Sequence, residues 1–283
     1  MAQLVWLVTG CSSGFGEQFV HSILARGDKV IATARRPETL QGLEKAGASV
    51  LPLDITSSQR SISATINQAI EILSQIDVLI NNAGFFRAGT WEDLEHEDWL
   101  AQFDTNVFGT IKTTKALLPH FRQRKSGTNV FISSLSGWIG HPICSPYAGS
   151  KFALEGIVEG LWRETASLGI RTLLIEPGRF RTKFLSDGNR KGEESAISDY
   201  SFLSSAVLGG IAKEDQAQPG DPVKLVEIIV DLVRKEGVAQ DKEVPFRVPL
   251  GIDSYDAIKE KCEETLKMLE EWKGVIQSTN YDE

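Results

Sequence analysis

Tyr147 and Lys151, in the middle of the chain, have the types and the spacing needed to move a proton. They stand at the head of a helical stretch, residues 146–166, and their i, i+4 spacing points both side chains to one face of the predicted helix. A free tyrosine has a pKa of about 10, and a cation beside it stabilises the phenolate. The pair therefore predicts a tyrosine that donates and accepts a proton, with a lysine that lowers its pKa. An isolated pair at this spacing is also typical of a helix surface.

A glycine-rich segment near the start of the chain has the pattern Thr-Gly-x-x-x-Gly-x-Gly, from Thr9 to Gly16. It follows an apolar run, residues 4–8, and leads into an amphipathic stretch, residues 17–27. A strand, a glycine turn and a helix in this order suit a pyrophosphate, because the backbone can approach it and the helix N-terminus offers free amides. An ordinary glycine-rich turn is the alternative. The cofactor residues expected here are Gly10, Ser12, Ser13, Gly14, Phe15 and Gly16.

Two arginines, Arg35 and Arg36, follow the next predicted strand, residues 29–34. In a doubly wound sheet this position faces the adenosine ribose of a dinucleotide. An acidic side chain would favour a free 2′-hydroxyl, whereas the planar forks of arginine suit a 2′-phosphate. The pair therefore favours NADP(H) as the cofactor. The alternative is that both arginines are the solvated start of the next helix.

Other strand ends bring polar groups to the same edge of the sheet. Ser134 could carry a hydroxyl to a substrate oxygen and stabilise the charge that develops there. Asp54 and Asn82 are expected near the adenosine side of the cofactor, although a helix cap and a turn residue are the alternatives for them. The cofactor residues expected at these two strand ends are Asp54, Ile55, Asn82, Ala83 and Gly84.

The order of elements predicts the fold. Short apolar strands alternate with helical stretches, which indicates a single Rossmann-type α/β domain, a doubly wound parallel sheet with helices on both faces. We predict this catalytic domain over residues 1–250, with an irregular, mobile insertion at residues 183–220 as a substrate lid. A C-terminal helical extension of the same domain is predicted over residues 251–283. The predicted strands are residues 4–8, 29–34, 49–53, 78–81, 129–133, 171–176 and 243–248.

The C-terminal extension contains a predicted helix, residues 254–272, with an apolar stripe along one side. We expect the stripe to pack along the domain or over the insertion, with binding of a partner as the alternative. The residues of this stripe are Ile258, Cys262, Leu266, Leu269 and Trp272.

Composition narrows the class of protein. The 283 residues are 41% hydrophobic and 24% charged, which fits a globular chain, and the net charge of −8 disfavours nucleic acid or anionic membranes as partners. The three cysteines are odd in number and, with four scattered histidines, form no disulfide framework and no zinc pattern, so no metal is expected. The opening apolar run is too short for a secretory signal or a membrane span, which makes a cytoplasmic protein the default expectation.

Six motifs in this order resemble the short-chain dehydrogenase/reductase superfamily, over roughly residues 4 to 250. They are Thr9-Gly10-x-x-x-Gly14-x-Gly16, Asn82-Ala83-Gly84, Asn106, Ser134, Tyr147-x-x-x-Lys151 and Pro177-Gly178. The Thr-Gly-Cys-Ser-Ser-Gly loop and the Ala-Arg-Arg after the second strand are most similar to an NADP-preferring branch that includes 17β-hydroxysteroid and retinol dehydrogenases.

The resemblance implies a role for each catalytic residue. Tyr147 would be the general acid in reduction and the base in oxidation, and Ser134 would polarise the carbonyl. Lys151 would lower the pKa of the tyrosine and bind the nicotinamide ribose, while Asn106 would hold a water that links Lys151 to solvent. A turn under the nicotinamide would contain Pro177, Gly178 and Thr182. The family also commonly pairs subunits, which implies a homodimer or homotetramer.

The residues that flank the predicted catalytic groups are mostly apolar, which favours a small hydrophobic ketone or secondary alcohol as substrate. His141 could instead relay a proton, and Arg179 or Arg181 could meet a phosphate, meet an acidic substrate group or simply be exposed. An NADPH-dependent ketoreductase is the favoured function. A nonredox cyclase, dehydratase or isomerase and a cofactor-binding regulator without catalysis are the alternatives. The expected substrate residues are Phe85, Trp138, His141, Ile143 and Cys144.

Overall fold

The computed structural model describes residues 2–186, 190–192 and 194–281. Its strands are β1 (Val5–Val8), β2 (Lys29–Ala34), β3 (Ser49–Pro52), β4 (Val78–Asn81), β5 (Phe86–Arg87), β6 (Gly127–Ile132), β7 (Ile170–Pro177), β8 (Arg190–Lys191) and β9 (Arg247–Leu250). Seven of them form one parallel sheet in the order β3-β2-β1-β4-β6-β7-β9. The strand order reverses direction between β1 and β4, and ligands of such sheets bind at this switch point.

Helices cover both faces of the sheet, as the sequence predicts for a Rossmann-type fold. They are α1 (Gly14–Ala25), α2 (Gln41–Lys45), α3 (Gln59–Leu73), α4 (His96–Phe103), α5 (Thr110–Arg124), α6 (Ser145–Thr165), α7 (Ser198–Glu214), α8 (Pro222–Arg234), α9 (Ile252–Glu271) and α10 (Lys273–Gln277). Helices α1 and α8 enclose one apolar core with the sheet, and α3, α5 and α6 enclose the core on the other face. The doubly wound parallel sheet is confirmed.

The predicted strands match the observed ones closely except for the last. The strand predicted over residues 243–248 is β9, and it begins only at Arg247, where the chain comes into register with Leu174 of β7. Strand β9 is an edge strand, because it pairs with β7 alone, and this position tolerates Pro249 within it. The hydrophobic pattern located the strand, but the register of pairing set its start.

The predicted insertion contains more regular structure than expected. Residues 187–189 and 193 lie outside the described residues, but β8 pairs with β5, and α7 spans seventeen residues. The prediction of an irregular stretch is therefore wrong. Helix α7 contains adjacent glycines, Gly209 and Gly210, and several serines, which weaken intrinsic helix propensity. Packing supplies the missing stability, because Leu208 joins a buried apolar cluster and Ser204 is buried.

The C-terminal helix α9 begins two residues earlier than predicted, and its apolar stripe is not buried as expected. Ile258 is half-buried, whereas the exposed fractions of Leu266 and Trp272 are 63% and 57%. The first turn of α9, unlike the exposed stripe, packs against the domain. Its Ser254 is fully buried and donates a hydrogen bond to the backbone oxygen of Glu176. The helix is therefore anchored at its N-terminus.

Candidate active site

The glycine turn after β1 is locked to the end of β4. Gly10 has φ +72°, and a Cβ there would lie 2.8 Å from the Cα of Ala83. A Cβ on Gly16 would lie 2.2 Å from the backbone oxygen of Gly10. The side chain of Asn82 donates to the backbone oxygens of Thr9 and Gly10, at 2.9 and 3.1 Å. Glycine is therefore required at both positions, and Asn82 has a definite role in shaping the turn.

The N-terminus of α1 has amides that no side chain caps. Ser13 stands at the N-cap in an extended conformation, and its hydroxyl makes no capping hydrogen bond. Gly14 has φ +61°, and a Cβ there would lie 3.5 Å from the Cβ of Thr182. The ring of Phe15 meets that of Phe180 edge-on, with centroids 5.6 Å apart. The turn is thus open to an anion and borders the loop that follows β7.

Arg35 and Arg36 lie at the end of β2, beside the same turn. The backbone amide of Cys11 bonds to the backbone oxygen of Thr33 at 2.9 Å, which ties the turn to this strand. Both arginines are exposed, as is Ser12, and neither guanidinium has an ion-pair or hydrogen-bond partner within the described chain. Their positive charge is available to a ligand that reaches the end of β2.

The residues after β3 have partly structural roles. One carboxylate oxygen of Asp54 accepts hydrogen bonds from the amide and the hydroxyl of Thr56, at 2.9 and 2.7 Å. The alternative role of Asp54 as N-cap of α3 is wrong, because Ser58 caps that helix. Ile55 is buried in the core, and a Cβ on Gly109 would lie 2.8 Å from its side chain. A ligand at this corner would meet the second Asp54 oxygen and the backbone.

Three of the predicted catalytic side chains come together at the ends of β6 and α6. The hydroxyl of Ser134 lies close enough to that of Tyr147 to lower the pKa of the tyrosine. The ammonium nitrogen of Lys151 lies 5.7 Å from the centroid of the Tyr147 ring and donates to the backbone oxygen of Ile132 at 2.8 Å. The i, i+4 spacing on α6 therefore has the predicted consequence, because both side chains lie on the face toward the sheet.

Burial dominates the pKa values of this cluster. It raises the pKa of Tyr147 to about 12; Cys144 raises it as well, and the hydrogen bond from Ser134 opposes the change. Burial also lowers the pKa of Lys151 to about 8, opposed by the carboxylate of Glu155. The expected lowering of the tyrosine pKa by Lys151 is not seen in this structure. The hydroxyl of Tyr147 therefore stays protonated at neutral pH, and the ammonium of Lys151 is close to its titration range.

Asn106 lies in a π-helical turn, Asp104–Gly109, that joins α4 to α5. Such turns are rare and occur often at functional sites. The side chain of Asn106 is buried and donates to the hydroxyl of Ser150 at 3.1 Å, which in turn donates to the backbone oxygen of Tyr147 at 2.7 Å. The Asn106 amide also bonds to both backbone polar groups of Phe85. Asn106 thus connects α6 with the chain after β4, beside exposed Gly84.

An apolar cluster surrounds the ring of Tyr147. Phe86 meets the ring edge-on with centroids 5.3 Å apart, and Phe184 lies 5.7 Å from it. Of the two phenylalanines after β4, Phe86 rather than the expected substrate residue Phe85 lies against Tyr147. Phe184 falls within the predicted lid, residues 183–220, but was not named individually. The local signal for Phe184 was its place two residues after Thr182. The buried members of this cluster are Phe86, Ala88, Ile143, Cys144, Tyr147 and Leu208.

The turn after β7 is held by protein side chains. Pro177 ends the strand, and Gly178 donates to the backbone oxygen of Leu250 at 2.8 Å. Arg179 forms ion pairs with Asp253 at 3.1 Å and Glu214 at 2.9 Å. Thus Arg179 already has two acidic partners, although more than half of its side chain is exposed.

Comparison with known proteins decides the family. The family model described as short chain dehydrogenase matches residues 4–193. The chain belongs to the short-chain dehydrogenase family. Oxidoreductase BOA17 of Botryotinia fuckeliana is 35% identical over 273 residues, which cover 95% of this chain and 96% of that protein. A 3-ketodihydrosphingosine reductase of Bacteroides thetaiotaomicron is 34% identical over 253 residues, which cover 89% of each. A crystal structure of a short-chain dehydrogenase from Streptomyces avermitilis has a TM-score of 0.87 and 34% identity, covering 99% of this chain and all of that one.

Three of the expected substrate residues of this short-chain dehydrogenase are not members of the apolar cluster around Tyr147, namely Trp138, His141 and Phe85. The indole of Trp138 donates to the carboxylate of Glu176 at 2.9 Å, and the guanidinium of Arg247 lies over its ring at 5.5 Å. Trp138 borders a groove between α6 and α9, and its expected contact with substrate stays a prediction. The side chain of His141 is exposed. Phe85 is half-buried beneath the ammonium of Lys191.

Within the described ranges, no three His, Cys, Asp or Glu side chains are grouped so that they could hold a metal ion. No described helix is both long enough and apolar enough to cross a bilayer.

Proposed function

We propose that this short-chain dehydrogenase is an NADPH-dependent ketoreductase acting on CH–OH and C=O groups, with Tyr147 as the proton donor. The observation that carries the proposal is the clustering of Ser134, Tyr147 and Lys151, with the ammonium nitrogen of Lys151 5.7 Å from the centroid of the tyrosine ring. This cluster and the glycine turn both lie at the carboxyl ends of the parallel strands, where ligands of this fold bind. A cofactor at the turn and a substrate at Tyr147 would therefore share one cleft.

The residues at the glycine turn fit a phosphorylated dinucleotide. The uncapped amides of α1 and the glycine backbone suit a pyrophosphate. The charges of Arg35 and Arg36, which have no partner among the described residues, suit a 2′-phosphate. No acidic side chain stands at the end of β2 to accept a bond from a free ribose 2′-hydroxyl. Ser12, exposed in the turn, would add a hydroxyl donor. These features support NADP(H) over NAD(H).

The mechanism assigns a step to each side chain of the cluster. The reduced cofactor, when bound, supplies a hydride to the carbonyl carbon. Ser134 donates a hydrogen bond to the carbonyl oxygen and stabilises the negative charge that develops on it. Tyr147 transfers its hydroxyl proton to that oxygen, and the ammonium of Lys151 stabilises the phenolate that remains. Asn106 holds the backbone of α6 through Ser150 and so keeps Tyr147 in position.

The pKa values favour the direction of reduction. With the pKa of Tyr147 raised to about 12 by burial, the tyrosine is protonated at neutral pH and ready to donate. Oxidation of an alcohol would need the phenolate, which burial disfavours. The pKa of Lys151, about 8, leaves its ammonium mostly charged near neutrality, where it can offset the phenolate after transfer.

The substrate proposed is a hydrophobic ketone. The side chains nearest Tyr147 are aromatic or aliphatic, with Phe86, Phe184 and Ile143 among them. Such a lining binds hydrocarbon and offers few partners to a polar substrate. The similar protein from Bacteroides thetaiotaomicron is named as a reductase of 3-ketodihydrosphingosine, a ketone with a long alkyl chain, which supports the same class here.

A homodimer or homotetramer is also proposed. Phe108, in the π-helical turn, and Phe152, on α6, are exposed by 49% and 47% on the elements that hold Asn106 and Tyr147. Apolar groups on this face would be buried by subunit pairing. Light scattering on the purified protein measures the mass directly, and a monomer at micromolar concentration would contradict the assignment.

A panel of ketones tests the proposed function. Consumption of NADPH is followed by the absorbance of the reduced nicotinamide, with short, cyclic and long-alkyl ketones and with NADH in parallel. We expect turnover with the cyclic or long-alkyl members and a kcat/KM at least about tenfold higher with NADPH than with NADH. Tight NADPH binding with no turnover across the panel would favour a nonredox enzyme or a regulator instead.

A further inference from the structure

The start of α9 is joined to the turn that follows β7. The chain leaves β9 through Gly251, which has φ +107°, and enters α9 at once. Asp253 and Ser254 then face the carboxyl end of β7. The hydroxyl of Ser254 donates to the backbone oxygen of Glu176 at 2.9 Å, and Gly178 donates to the backbone oxygen of Leu250 at 2.8 Å. The C-terminal segment therefore contacts the turn before Arg179 through both a side chain and the backbone.

The carboxylate of Asp253 makes the central contact. One of its oxygens accepts hydrogen bonds from the backbone amide of Arg179 at 2.8 Å and from Nε of the same residue at 3.1 Å. The other oxygen fills a notch, because a Cβ on Gly178 would lie 2.0 Å from it and a Cβ on Gly251 2.7 Å from it. Only glycine fits at 178 while this carboxylate is in place. A charged acceptor on a backbone amide is a strong restraint.

A second acid, Glu214 at the end of α7, holds the other end of the same arginine. Its carboxylate lies 2.9 Å from the terminal nitrogen of Arg179. Residues 179–181 are also paired with Gly220, through hydrogen bonds of 2.9 Å from Arg181 and 3.0 Å to Arg179. The side chain of Arg181 reaches the backbone oxygen of Gln218. The segment from Gly178 to Arg181 thus has backbone partners from α9 and from the segment before α8, and a side-chain partner from α7.

We propose that Asp253 is a positioning residue that sets the backbone of the 177–179 turn for the nicotinamide half of the cofactor. The inference rests on the proposed function, in which this turn lies under the nicotinamide. It gives the C-terminal helix a role in the cleft, even though the apolar stripe of that helix is exposed. The adenosine half of the cofactor would meet the glycine turn, Arg35 and Arg36, which Asp253 does not touch. Loss of Asp253 should therefore affect one half of the cofactor only.

The binding of two ligands distinguishes the nicotinamide half of the cofactor from the adenosine half. Dissociation constants of NADPH and of 2′,5′-ADP, which lacks the nicotinamide, are measured by calorimetry for wild type, Asp253→Ala, Asp253→Asn and Asp256→Ala. Asn keeps a side-chain oxygen that can accept from the Arg179 amide, and Asp256 is an exposed acid of the same helix. We expect Asp253→Ala to weaken NADPH by roughly tenfold, as for a lost hydrogen bond to a charged group, and to leave 2′,5′-ADP within about twofold. Asp253→Asn should recover most of the loss, and Asp256→Ala should bind both ligands as wild type does.

Hydrogen exchange of the protein without cofactor adds a readout that does not depend on binding. Asp253→Ala should speed exchange in the peptide that contains Arg179, and Asp256→Ala should not. An equal loss of both ligands, or no loss of either, overturns the positioning role while the proposed function stands. Unchanged exchange at Arg179 also overturns it. Failure of the wild type to bind either ligand would instead reject the proposed cofactor, and the role of Asp253 with it.

Discussion

The hydroxyl of Ser134 opposes the rise in the pKa of Tyr147 that burial causes, and Phe86 and Phe184 pack against the tyrosine ring. The hydroxyl is thus the one polar part of a side chain that is otherwise enclosed by apolar groups. A phenylalanine would fill the same space, so the proton can be removed from the site without creating a cavity. The role of the Tyr147 hydroxyl can therefore be tested without changing the packing around the ring.

Loss of the Ser134 hydroxyl should slow turnover without weakening cofactor binding. Ser134→Ala removes the donor proposed to face the carbonyl oxygen, and we expect kcat to fall by roughly 10²- to 10³-fold, as for other oxyanion donors. Ser136→Ala is the matched control, because that serine lies in the same short turn, Leu135–Gly137. Steady-state kinetics with the best ketone measures both. Equal rates for the two variants would remove Ser134 from the mechanism.

Reversal of charge at Arg35 should change cofactor preference. Arg35→Asp would repel a 2′-phosphate and accept a bond from a free hydroxyl, so we expect the Kd of NADPH to rise by roughly 10²-fold and that of NADH to change little. Arg122→Asp is the control, since this exposed arginine lies near the end of α5, which leads into the amino end of β6, whereas Arg35 follows the carboxyl end of β2. Fluorescence titration gives both constants. A symmetrical loss of NADPH and NADH would contradict the phosphate assignment.

The buried carboxyl of Glu155 should make stability depend on pH. Burial and the neighbouring Glu176 raise the pKa of Glu155 to about 7. At a pH between the pKa of Glu155 in the unfolded chain and its pKa in the folded chain, the folded state binds more protons than the unfolded state. The contribution of Glu155 to the free energy of unfolding therefore falls as pH rises. Gln cannot titrate. Relative to wild type, the free energy of unfolding of Glu155→Gln should therefore rise by about 2 kcal/mol between roughly pH 5 and pH 8.

Urea unfolding at the two pH values measures this difference. Glu159→Gln is the control, because Arg163 and Arg247 lower the pKa of the Glu159 carboxyl, so its replacement should not show the same gain. The lost contact with Arg247 is expected to shift the free energy of unfolding of Glu155→Gln by the same amount at both pH values. This shift does not affect the comparison. A difference that stays flat with pH would show that Glu155 is ionised throughout.

The three cysteines should differ in reactivity. Burial raises the pKa of Cys11 to about 12 and that of Cys144 to about 11, whereas Cys262 is exposed on α9. Thiolates are the reactive form, so at about pH 8 a disulfide reagent should label Cys262 rapidly and the two buried thiols only on unfolding. Mass spectrometry of the labelled peptides identifies each site. Rapid labelling of Cys144 in the folded protein would show that the tyrosine cluster is open to solvent.

Much of the fold was predictable because the signals are local. Apolar runs mark β1, β2 and β4, and the strand–glycine–helix order fixes the turn at Gly10. The regular structure of the insertion was not predictable, since α7 contains Gly209 and Gly210 and owes its stability to packing on the tyrosine cluster. The exposure of the stripe on α9 also depends on what the helix meets in the folded chain.

The residues of the site also differ in whether a local sequence pattern could predict them. Tyr147 and Lys151 are placed by the period of one helix, so their proximity followed from spacing alone. Asp253 contacts the turn after β7 from a distant part of the chain, and no local pattern reveals such a contact. The high pKa of Tyr147 likewise could not be deduced, because it depends on how many apolar groups the fold packs around the ring.

Isotope transfer tests the central claim most directly. NADPH with deuterium at both C4 positions is incubated with the protein and the best ketone, and the alcohol formed is analysed by mass spectrometry. We predict one deuterium on the carbinol carbon with wild type, and a rate of formation lower by roughly 10²- to 10⁴-fold with Tyr147→Phe at unchanged NADPH affinity. A product without deuterium, or equal rates for wild type and Tyr147→Phe, would contradict hydride transfer assisted by this tyrosine.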